Sequence, residues 1–600
     1  MPELHFKGKE YVYNHHLNVP FRPLLAQPDK SIGEDSGNLI IHGDNLHALK
    51  ALLPRYAGKV DCIFIDPPYN TGNENWCYND NVNSPIMRDW LDSNPVNKED
   101  MLRHDKWLAL MWPRLKLLHE LLAETGSFWM TLDDNEVHRA RMMMDEIFGE
   151  ENFIATCIWH KMDSPKNTAD NFSVDHDYLI IYAKNSSNFE LKLMPRTDEM
   201  LARYKNPDKD PRGPWLLSDL AARNQYSQGI YPITTQSGKV IPGPPAGSYW
   251  RVSKDKFDDL DKDGRIWWGE SGENRPGIKR FLSEVKDGVV AQTIWRWEDV
   301  GSTRNAKQQL SQFMAANQGE ELFITPKPID LIERILTLVT EKNSLILDSF
   351  AGSATTAHAV LAQNAKDGGD RKFILVECED YADTLTAERV RRVINGYEFS
   401  GNQKEELYRE KITWTNFSKE GAHHKLLQHV QSIENLDGLR FDNIKKEIKD
   451  GELIVTGENK ITERVPGLGG GFTFYTLGEP LDIDKILTGE TLPDYQALGA
   501  WLFHTATGQS LNAEQTDASH WYLGSSNIYH VWLIYQPDLD FLKSPQAALT
   551  LSVAETIAKT YQDKPHLVFA AAKYAPNRLL LPLGVEHAPL PFALYRMEKD

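Results

Sequence analysis

The chain has 600 residues, more than one hydrophobic core usually supports, so several domains are expected. Its hydrophobic fraction of 41% is ordinary for a globular protein. No run of eighteen apolar residues occurs and the first ten residues are polar, so neither a membrane span nor a secretory signal is expected, and the chain is placed in the cytoplasm. Four cysteines, Cys62, Cys77, Cys157 and Cys378, lie far apart with no Cys-x-x-Cys pair, which argues against a disulfide framework and a structural zinc site. They read as reduced, buried thiols, and no metal is expected. The formal charge of −19 suits a phosphate binder poorly. It is unevenly spread, however: residues 196–307 lean to about +3 and residues 401–600 to about −7.

After an N-terminal extension (1–38), the apolar run 39–42 ends in Gly43-Asp44, an amphipathic stretch 45–56 follows, and a second apolar run 60–65 ends in Asp66. This spacing predicts strand, helix, strand. The rhythm continues with a helix over 104–125, a strand at 127–132, a helix over 136–148, and strands at 153–159 and 178–182. Strands alternating with helices imply a mostly parallel sheet covered on both faces. From 196 to 318 the texture turns to Gly, Pro and aromatic residues with short extended runs, a separate β-rich insertion. The α/β rhythm then returns: helix 328–340, strand 344–347, helix 355–364, strand 372–376 and helix 383–395. One sheet, split into 39–195 and 319–400, is therefore expected around the insert. Residues 401–600 read as a mixed α+β region, with charged helix-like stretches, a turn at Gly469-Gly470-Gly471, strands at 531–535 and 567–571, and a helix over 549–561.

Asp66-Pro67-Pro68-Tyr69 directly follows the strand 60–65. A nucleobase amino group is a poor nucleophile because its lone pair is delocalised into the ring, so it must be held by acceptors that favour a tetrahedral nitrogen. Asp66 would accept one amino hydrogen, and the Pro67 carbonyl, stiffened by the Pro68 ring, the other. Tyr69 would stack on a base extruded from its helix. The carboxyl end of a strand in an α/β sheet is where ligands bind.

A second constellation is Asp348-Ser349-Phe350-Ala351-Gly352-Ser353-Ala354-Thr355-Thr356, a small-residue turn between strand 344–347 and a helix. Such a turn lets backbone approach a ligand, and the helix N-terminus offers free amides. The next strand ends in Glu377, where an acid can bind ribose hydroxyls, with Glu379 and Asp380 as rivals. Strand, loop, helix, strand and acid together describe a nucleoside site.

The order of these pieces, an Asp-Pro-Pro-Tyr box, then an insert, then a Phe-x-Gly loop, resembles the β-class amino methyltransferases, and within them the modification subunits of type III restriction-modification systems. Matching text includes Gly43 to Leu46, Asp66 to Gly72, Tyr78-Asn79-Asp80, Trp107 to Leu118, Asp133-Asp134, Met144 to Phe148, Pro326-Lys327-Pro328, the loop 348–358, Phe373 to Arg392 and Gly469 to Phe472. The resemblance implies a Rossmann-like sheet with circularly permuted motifs, S-adenosyl-L-methionine as cofactor, and methylation of adenine N6 in a short DNA sequence. It implies that Asp66, Pro67, Pro68 and Tyr69 handle the target base with Asn70 in the same pocket. Asp348, Phe350, Gly352, Ala354 and Thr355 would line the cofactor loop, Glu377 hold the ribose, Asp44 sit by the adenine, and Lys327 lie beside the methionine tail. It also implies a homodimer on double-stranded DNA, with a separate helicase-nuclease or other defence subunit, since no helicase phosphate loop occurs in this chain. One residue departs from the pattern: the family loop normally has Gly where this chain has Ala354.

The insert is the candidate target-recognition domain. Its aromatic residues Trp215, Tyr226, Tyr231, Tyr249, Trp250, Trp267, Trp268, Trp295 and Trp297 are interleaved with Arg223, Arg251, Arg265, Arg275, Arg280 and Arg304. Arginines can read guanine edges, and Asn224 and Gln225 adenine edges, but most of the aromatics are expected in local cores. The pairs His15-His16 and His423-His424 read as surface residues, and Met142 to Met144 as helix packing. The rival readings are an N4-cytosine or RNA methyltransferase, an orphan regulatory methylase, and a catalytically weak DNA-binding subunit, for which Ala354 is the hint.

Overall fold

Ten strands form the central sheet of the computed structural model, which describes residues 3–33, 36–72, 100–166, 168, 171–235, 237–314, 325–414, 418–419, 421–437, 440–449, 451–480 and 492–590. The strands are β1 (Leu24–Ala26), β2 (Leu39–His42), β3 (Val60–Ile65), β4 (Leu122–Leu132), β5 (Phe153–His160), β6 (His176–Ala183), β7 (Ile294–Trp295), β8 (Leu345–Asp348), β9 (Lys372–Glu377) and β10 (Thr473–Leu477). Their order across the sheet is β1-β10-β2-β9-β8-β3-β4-β6-β5-β7. From β10 to β4 every neighbour is parallel; β6 runs antiparallel to both β4 and β5. The central strands carry apolar runs because helices cover both faces: Phe373 to Val376 and Cys62 to Ile65 are buried without alternation. The covering helices are α1 (Asn45–Tyr56), α2 (Arg103–Leu121), α3 (Val137–Phe148), α4 (Ile329–Val339), α5 (Thr355–Asp367) and α6 (Glu388–Asn395).

The chain divides into two compact units, Lys192–Ala291 and everything else. The smaller unit is built of short antiparallel pairs, with Leu220, Tyr231, Ile233, Trp250, Phe257, Ile266 and Trp268 as its core. Five of the nine aromatics named above are buried, Trp215, Tyr231, Trp250, Trp268 and Trp295, the last of them in the larger unit. The stretch 292–318 was expected within the insert. Its described part instead runs with the larger unit, where β7 extends the central sheet beside β5.

Residues 401–600 likewise do not stand apart from the sheet. Phe472 and β10 follow the Gly469–Gly471 turn, and β10 pairs in parallel with β2. The buried Asn38 fixes this joint: its side-chain NH2 donates to the Gly471 carbonyl at 2.9 Å, and its oxygen accepts from the Phe373 amide at 2.9 Å. Of the charged stretches beyond residue 396 that read as helix-like, Ala422–Asp437 is a helix, and those on either side of it are strands. Gly396–Lys411, Asn443–Lys449 and Glu452–Pro466 form an antiparallel sheet against the helix Ala422–Asp437. Their Lys and Glu content suits a helix, but pairing with 452–466 decides the conformation. A last, four-stranded sheet (Tyr522–Ser525, His530–Ile534, His566–Ala570, Val585–Pro589) has its own cores on both faces.

Three smaller expectations change. The helix α2 ends at Leu121, so the stretch expected to continue it to 125 already belongs to β4. His15 and His16 are buried, because the short helix His15–Asn18 packs against α2, and the carbonyls of His16 and Leu17 accept from Lys50 of α1. Cys378 is exposed, whereas Cys62 and Cys157 are buried; Cys77 and the Tyr78-Asn79-Asp80 match lie outside the described residues. Met143 and Met144 pack inward from α3, and Met142 does not. Among the described residues no helix is long and apolar enough to cross a membrane.

Replacing Asn38 by Ala leaves the buried Phe373 amide without its partner, while the Gly471 carbonyl keeps the Ser36 hydroxyl. Such a loss costs about 1–3 kcal/mol, so Asn38→Ala should lower unfolding stability by about 1–3 kcal/mol in a denaturant titration, and an unchanged midpoint would contradict the assigned joint.

Candidate active site

The carboxyl ends of β2, β9, β8, β3 and β4 lie side by side, and the first four lead into candidate residues. In register, Ile346 and Leu347 of β8 pair with Cys62 and Ile63 of β3, Asp348 with Leu375 of β9, and Glu377 of β9 with His42 of β2. Asp44, Glu377, the turn 348–354 and Asp66 therefore share one edge, although Asp66 and Phe350 are 284 positions apart in sequence.

Asp66 is held from two sides. The Thr131 hydroxyl, at the end of β4, donates to Oδ1 at 2.5 Å, and the Lys327 ammonium pairs with Oδ2. Lys327 also lies 5.2 Å from the Tyr69 ring centroid and 5.9 Å from that of Trp159, and its carbonyl accepts from the Thr355 hydroxyl at 3.1 Å. One residue thus joins the box to the first turn of α5 through side chain and backbone. The Trp107 indole donates to the Pro68 carbonyl at 2.7 Å, which pins the turn; among the described residues no donor reaches the carbonyl of the buried Pro67. Tyr69 donates to Asp177 at 3.3 Å, and Asp177 in turn takes Lys161 at 2.6 Å. Burial raises the Asp177 carboxyl, and Lys161 and Lys327 oppose that shift.

Asn70 sits in the interior rather than toward an open pocket. It is fully buried in a left-handed conformation (φ 59°), and its NH2 donates to Glu136 Oε1 at 2.5 Å and to the Arg103 carbonyl at 3.2 Å. His104 meets the same Glu136 oxygen at 2.5 Å. Asn70 therefore shapes the chain behind Tyr69. Burial pushes the Glu136 carboxyl up to about 7.

The turn after β8 is closed by its own polar groups. Asp348 is buried; its carboxylate accepts from the Phe350 amide at 3.0 Å and the Thr356 hydroxyl at 2.5 Å, and burial raises it to about 7. It moulds the loop and does not face outward. Gly352 (φ 49°) and Ala354 (φ 61°) both take positive φ. The Gly352 amide donates to Glu377 at 2.7 Å, and the Glu379 amide to the other Glu377 oxygen at 3.0 Å. Behind the loop, the buried Arg389 donates to the Ser353 carbonyl and to the Ser353 and Thr355 hydroxyls at 3.0–3.1 Å, while Thr386 donates to the Gly352 carbonyl at 2.6 Å. Thr386 lies in a π-helical turn, Asp383–Ala387, that leads into α6. Asp44 caps α1, accepting from the Leu46 and His47 amides, and meets Arg114 at 3.2 Å. Phe350 is half-buried against the main core.

The structure thus brings together Asp66, Pro67, Pro68, Tyr69, Lys327 and the 348–355 turn, with Glu377 behind it. Thr131, Trp107, Lys161, Asp177, Glu136, Thr386 and Arg389 were not singled out from sequence. Asp177 carried the clearest signal, an acid inside the apolar run of β6.

Ala at φ 61° costs roughly 1–2 kcal/mol relative to glycine. Glycine would lose about 0.8 kcal/mol of methyl burial and about 0.4–1 kcal/mol through the unfolded chain. The effects nearly cancel, so Ala354→Gly should shift stability by under about 1 kcal/mol, whereas the β-branched Ala354→Val should lose more than about 2 kcal/mol in thermal unfolding; a Val variant as stable as the parent would contradict the strained turn.

The raised Glu136 carboxyl makes a second prediction. Because its folded value exceeds the ordinary 4.5, its contribution is complete below that value and fades as pH rises through about 7. Glu136→Gln keeps both hydrogen bonds without the charge. Its stability relative to the parent should rise between pH 5 and 8 by about 2–3 kcal/mol; a pH-independent difference would contradict a buried, titrating Glu136.

A family model described as DNA methylase matches residues 60–388. The chain is 34% identical over 393 residues to the StyLTI Mod subunit of a type III restriction-modification enzyme from Salmonella typhimurium, a match covering 63% of this chain and 57% of that one. It is 31% identical over 428 residues to the EcoPI Mod subunit of a type III restriction-modification enzyme from Escherichia phage P1, covering 63% of each. The type II methyltransferase M.KpnI of Klebsiella pneumoniae is 29% identical over 366 residues, covering 57% of this chain and 81% of that one. The chain spans about six tenths of the length of these Mod subunits.

Proposed function

The chain belongs to the DNA methylase family, and we propose that it transfers a methyl group from S-adenosyl-L-methionine to N6 of adenine in a short sequence of double-stranded DNA, as the modification subunit of a restriction or phage-defence system. The observation that carries this reading is the seat of the Asp66 carboxylate. It is fixed by Thr131, with a donor, the Lys327 ammonium, already on its second oxygen. An exocyclic amino group is a donor of the same kind, so in the proposed complex Asp66 accepts one amino hydrogen and Pro67 the other, drawing the nitrogen lone pair out of the ring. Tyr69, its ring orientation fixed through Asp177, supports the extruded base.

The turn 350–355 fits the cofactor: two positive-φ small residues bring backbone to the sheet edge next to Glu377, whose carboxylate is held in place by the Gly352, Cys378 and Glu379 amides. Phe350, Gly352 and Thr355 are assigned to its methionine part and Glu377 to its ribose. Asp44, committed to the cap of α1 and to Arg114, builds the adenine wall, and Lys327 is assigned to Asp66 in place of the methionine tail. When bound, the cofactor supplies an electrophilic sulfonium methyl. Positioning is then the main requirement.

An N4-cytosine enzyme uses the same amino chemistry; an Asp heading the box, where those enzymes more often carry Ser, favours adenine. A decayed cofactor loop is disfavoured because Ala354 keeps the left-handed turn. The unit Lys192–Ala291 is the proposed target-recognition domain, and a homodimer with a separate restriction subunit the proposed assembly.

Asp66→Ala should abolish methyl transfer while cofactor binding stays nearly intact, and Glu377→Ala should raise the cofactor Kd about tenfold or more, the loss of charge-assisted bonds being worth roughly 1.5–3 kcal/mol. Activity of Asp66→Ala above a few per cent, or an unchanged titration for Glu377→Ala, would contradict these roles.

A further inference from the structure

The arginines of the unit Lys192–Ala291 fall into two groups. Arg196, Arg203, Arg212 and Arg265 are paired with acids: Arg212 grips Asp210 through two nitrogens at 2.9 Å each, and Arg265 grips Glu284 through two at 2.6 Å each. A guanidinium held this way must give up a carboxylate before it can take a phosphate or a guanine edge. Among the described residues, Arg223, Arg251, Arg275 and Arg280 have no acid in reach and no side-chain hydrogen bond, and all four are exposed. Sequence offered Arg265 and Arg223 as equals; the structure separates them.

Two of the unpaired four frame one loop. Arg223 continues from Ala221–Ala222, which pairs antiparallel with Tyr249–Trp250, and Arg251 follows on the partner strand, its amide donating to the Leu220 carbonyl at 2.8 Å. From Arg223 the chain continues Asn224-Gln225-Tyr226-Ser227-Gln228-Gly229-Ile230. Asn224 and Gln225 are exposed, with no side-chain hydrogen bond among the described residues, and Ile230 is 66% exposed. The loop is nevertheless anchored. The Gly229 amide donates to the Tyr226 carbonyl at 2.9 Å, the Trp250 amide to the Gly229 carbonyl at 2.7 Å, and the buried Trp250 indole to the Tyr231 carbonyl at 2.9 Å. A side chain at Gly229 would run into the Trp250 backbone. The unit carries 17 Lys/Arg against 14 Asp/Glu, net +3, in a chain of −19, which matches a polyanion.

We propose that Arg223, Asn224, Gln225, Ile230 and Arg251 form the surface that reads a groove of duplex DNA, Arg223 and Arg251 fixing it on phosphates or guanine edges and the two amides reading adenine edges. Free guanidinium groups, free carboxamides and an exposed aliphatic side chain on a pinned loop are the groups that base-edge recognition uses, held where little order has to be gained on binding. The inference rests on the methylase reading above but concerns a different part of the chain.

The test uses the full chain, a random-sequence 30-base-pair DNA duplex, an RNA duplex of equal length, and bacterial genomic DNA lacking the modification, sequenced for modified bases after treatment. Arg223→Ala/Arg251→Ala should weaken DNA binding at least tenfold and flatten its salt dependence, whereas Arg203→Ala and Arg265→Ala, checked by melting, should stay within twofold. Asn224→Ala/Gln225→Ala should relax or shift the methylated sequence while cofactor affinity is unchanged. Equal weakening by both arginine groups, an unaltered methylated sequence in the amide variant, or tenfold tighter binding of the RNA duplex would overturn the proposal. A parent protein that methylates normally beside silent variants overturns this surface alone; a parent that neither binds nor methylates DNA overturns the methylase reading with it.

Discussion

The parallel pairing of β3 with β8 is the constraint on which the site depends. It sets Ile63 beside Leu347, so that Asp66 and the turn beginning at Asp348 leave the sheet at the same edge. The insert and the stretch after Gly72 separate these segments in sequence, yet the register leaves little freedom in space, because a one-residue slip would swap every side chain of β3 to the opposite face of the sheet. Lys327 completes the junction, with its ammonium on Asp66 and its carbonyl on Thr355.

Around this junction the protein buries charge at a cost to stability. Asp348, Glu377, Glu136 and Arg389 are all removed from water, and each is engaged by neighbouring polar groups rather than left bare: backbone or hydroxyl groups for three of them, the Asn70 amide and the His104 ring for Glu136. Unpaired, such groups would each cost several kcal/mol. Paired, they hold two unusual backbone segments: Glu136 and the Arg103 carbonyl keep Asn70 left-handed behind Tyr69, and Arg389 with Thr386 keeps Ser353 and Gly352 in the turn before α5. The network trades stability for a fixed shape at the two places where the proposed chemistry needs it.

Much of the α/β scaffold was legible because central parallel strands are written as apolar runs, such as 62–65 and 373–376, and each ends in a Gly or an acid. The box at 66–69 and the small-residue turn after 347 stood out for the same reason: both are punctuation at strand ends. What sequence did not give were pairings settled by distant chain. Nothing local marks 473–477 as a neighbour of 39–42, and the Lys- and Glu-rich stretch from 396 reads as helix until 452–466 is laid beside it. Polar residues were misread where packing decides their fate. His15 and His16 were taken as surface, Asn70 as a pocket residue, and Asp348 as a ligand contact, since a residue name carries no record of what covers it. Ala354 could be flagged from its position in the loop, but only its φ of 61° tells that the turn survives the substitution.

The most direct test of the central claim is nucleoside mass spectrometry on unmodified DNA after reaction with the purified protein and S-adenosyl-L-methionine. A carboxylate and a proline carbonyl gripping an adenine amino group predict N6-methyldeoxyadenosine as the product. N4-methyldeoxycytidine alone, or no methylated base from protein that binds the cofactor, would contradict that account.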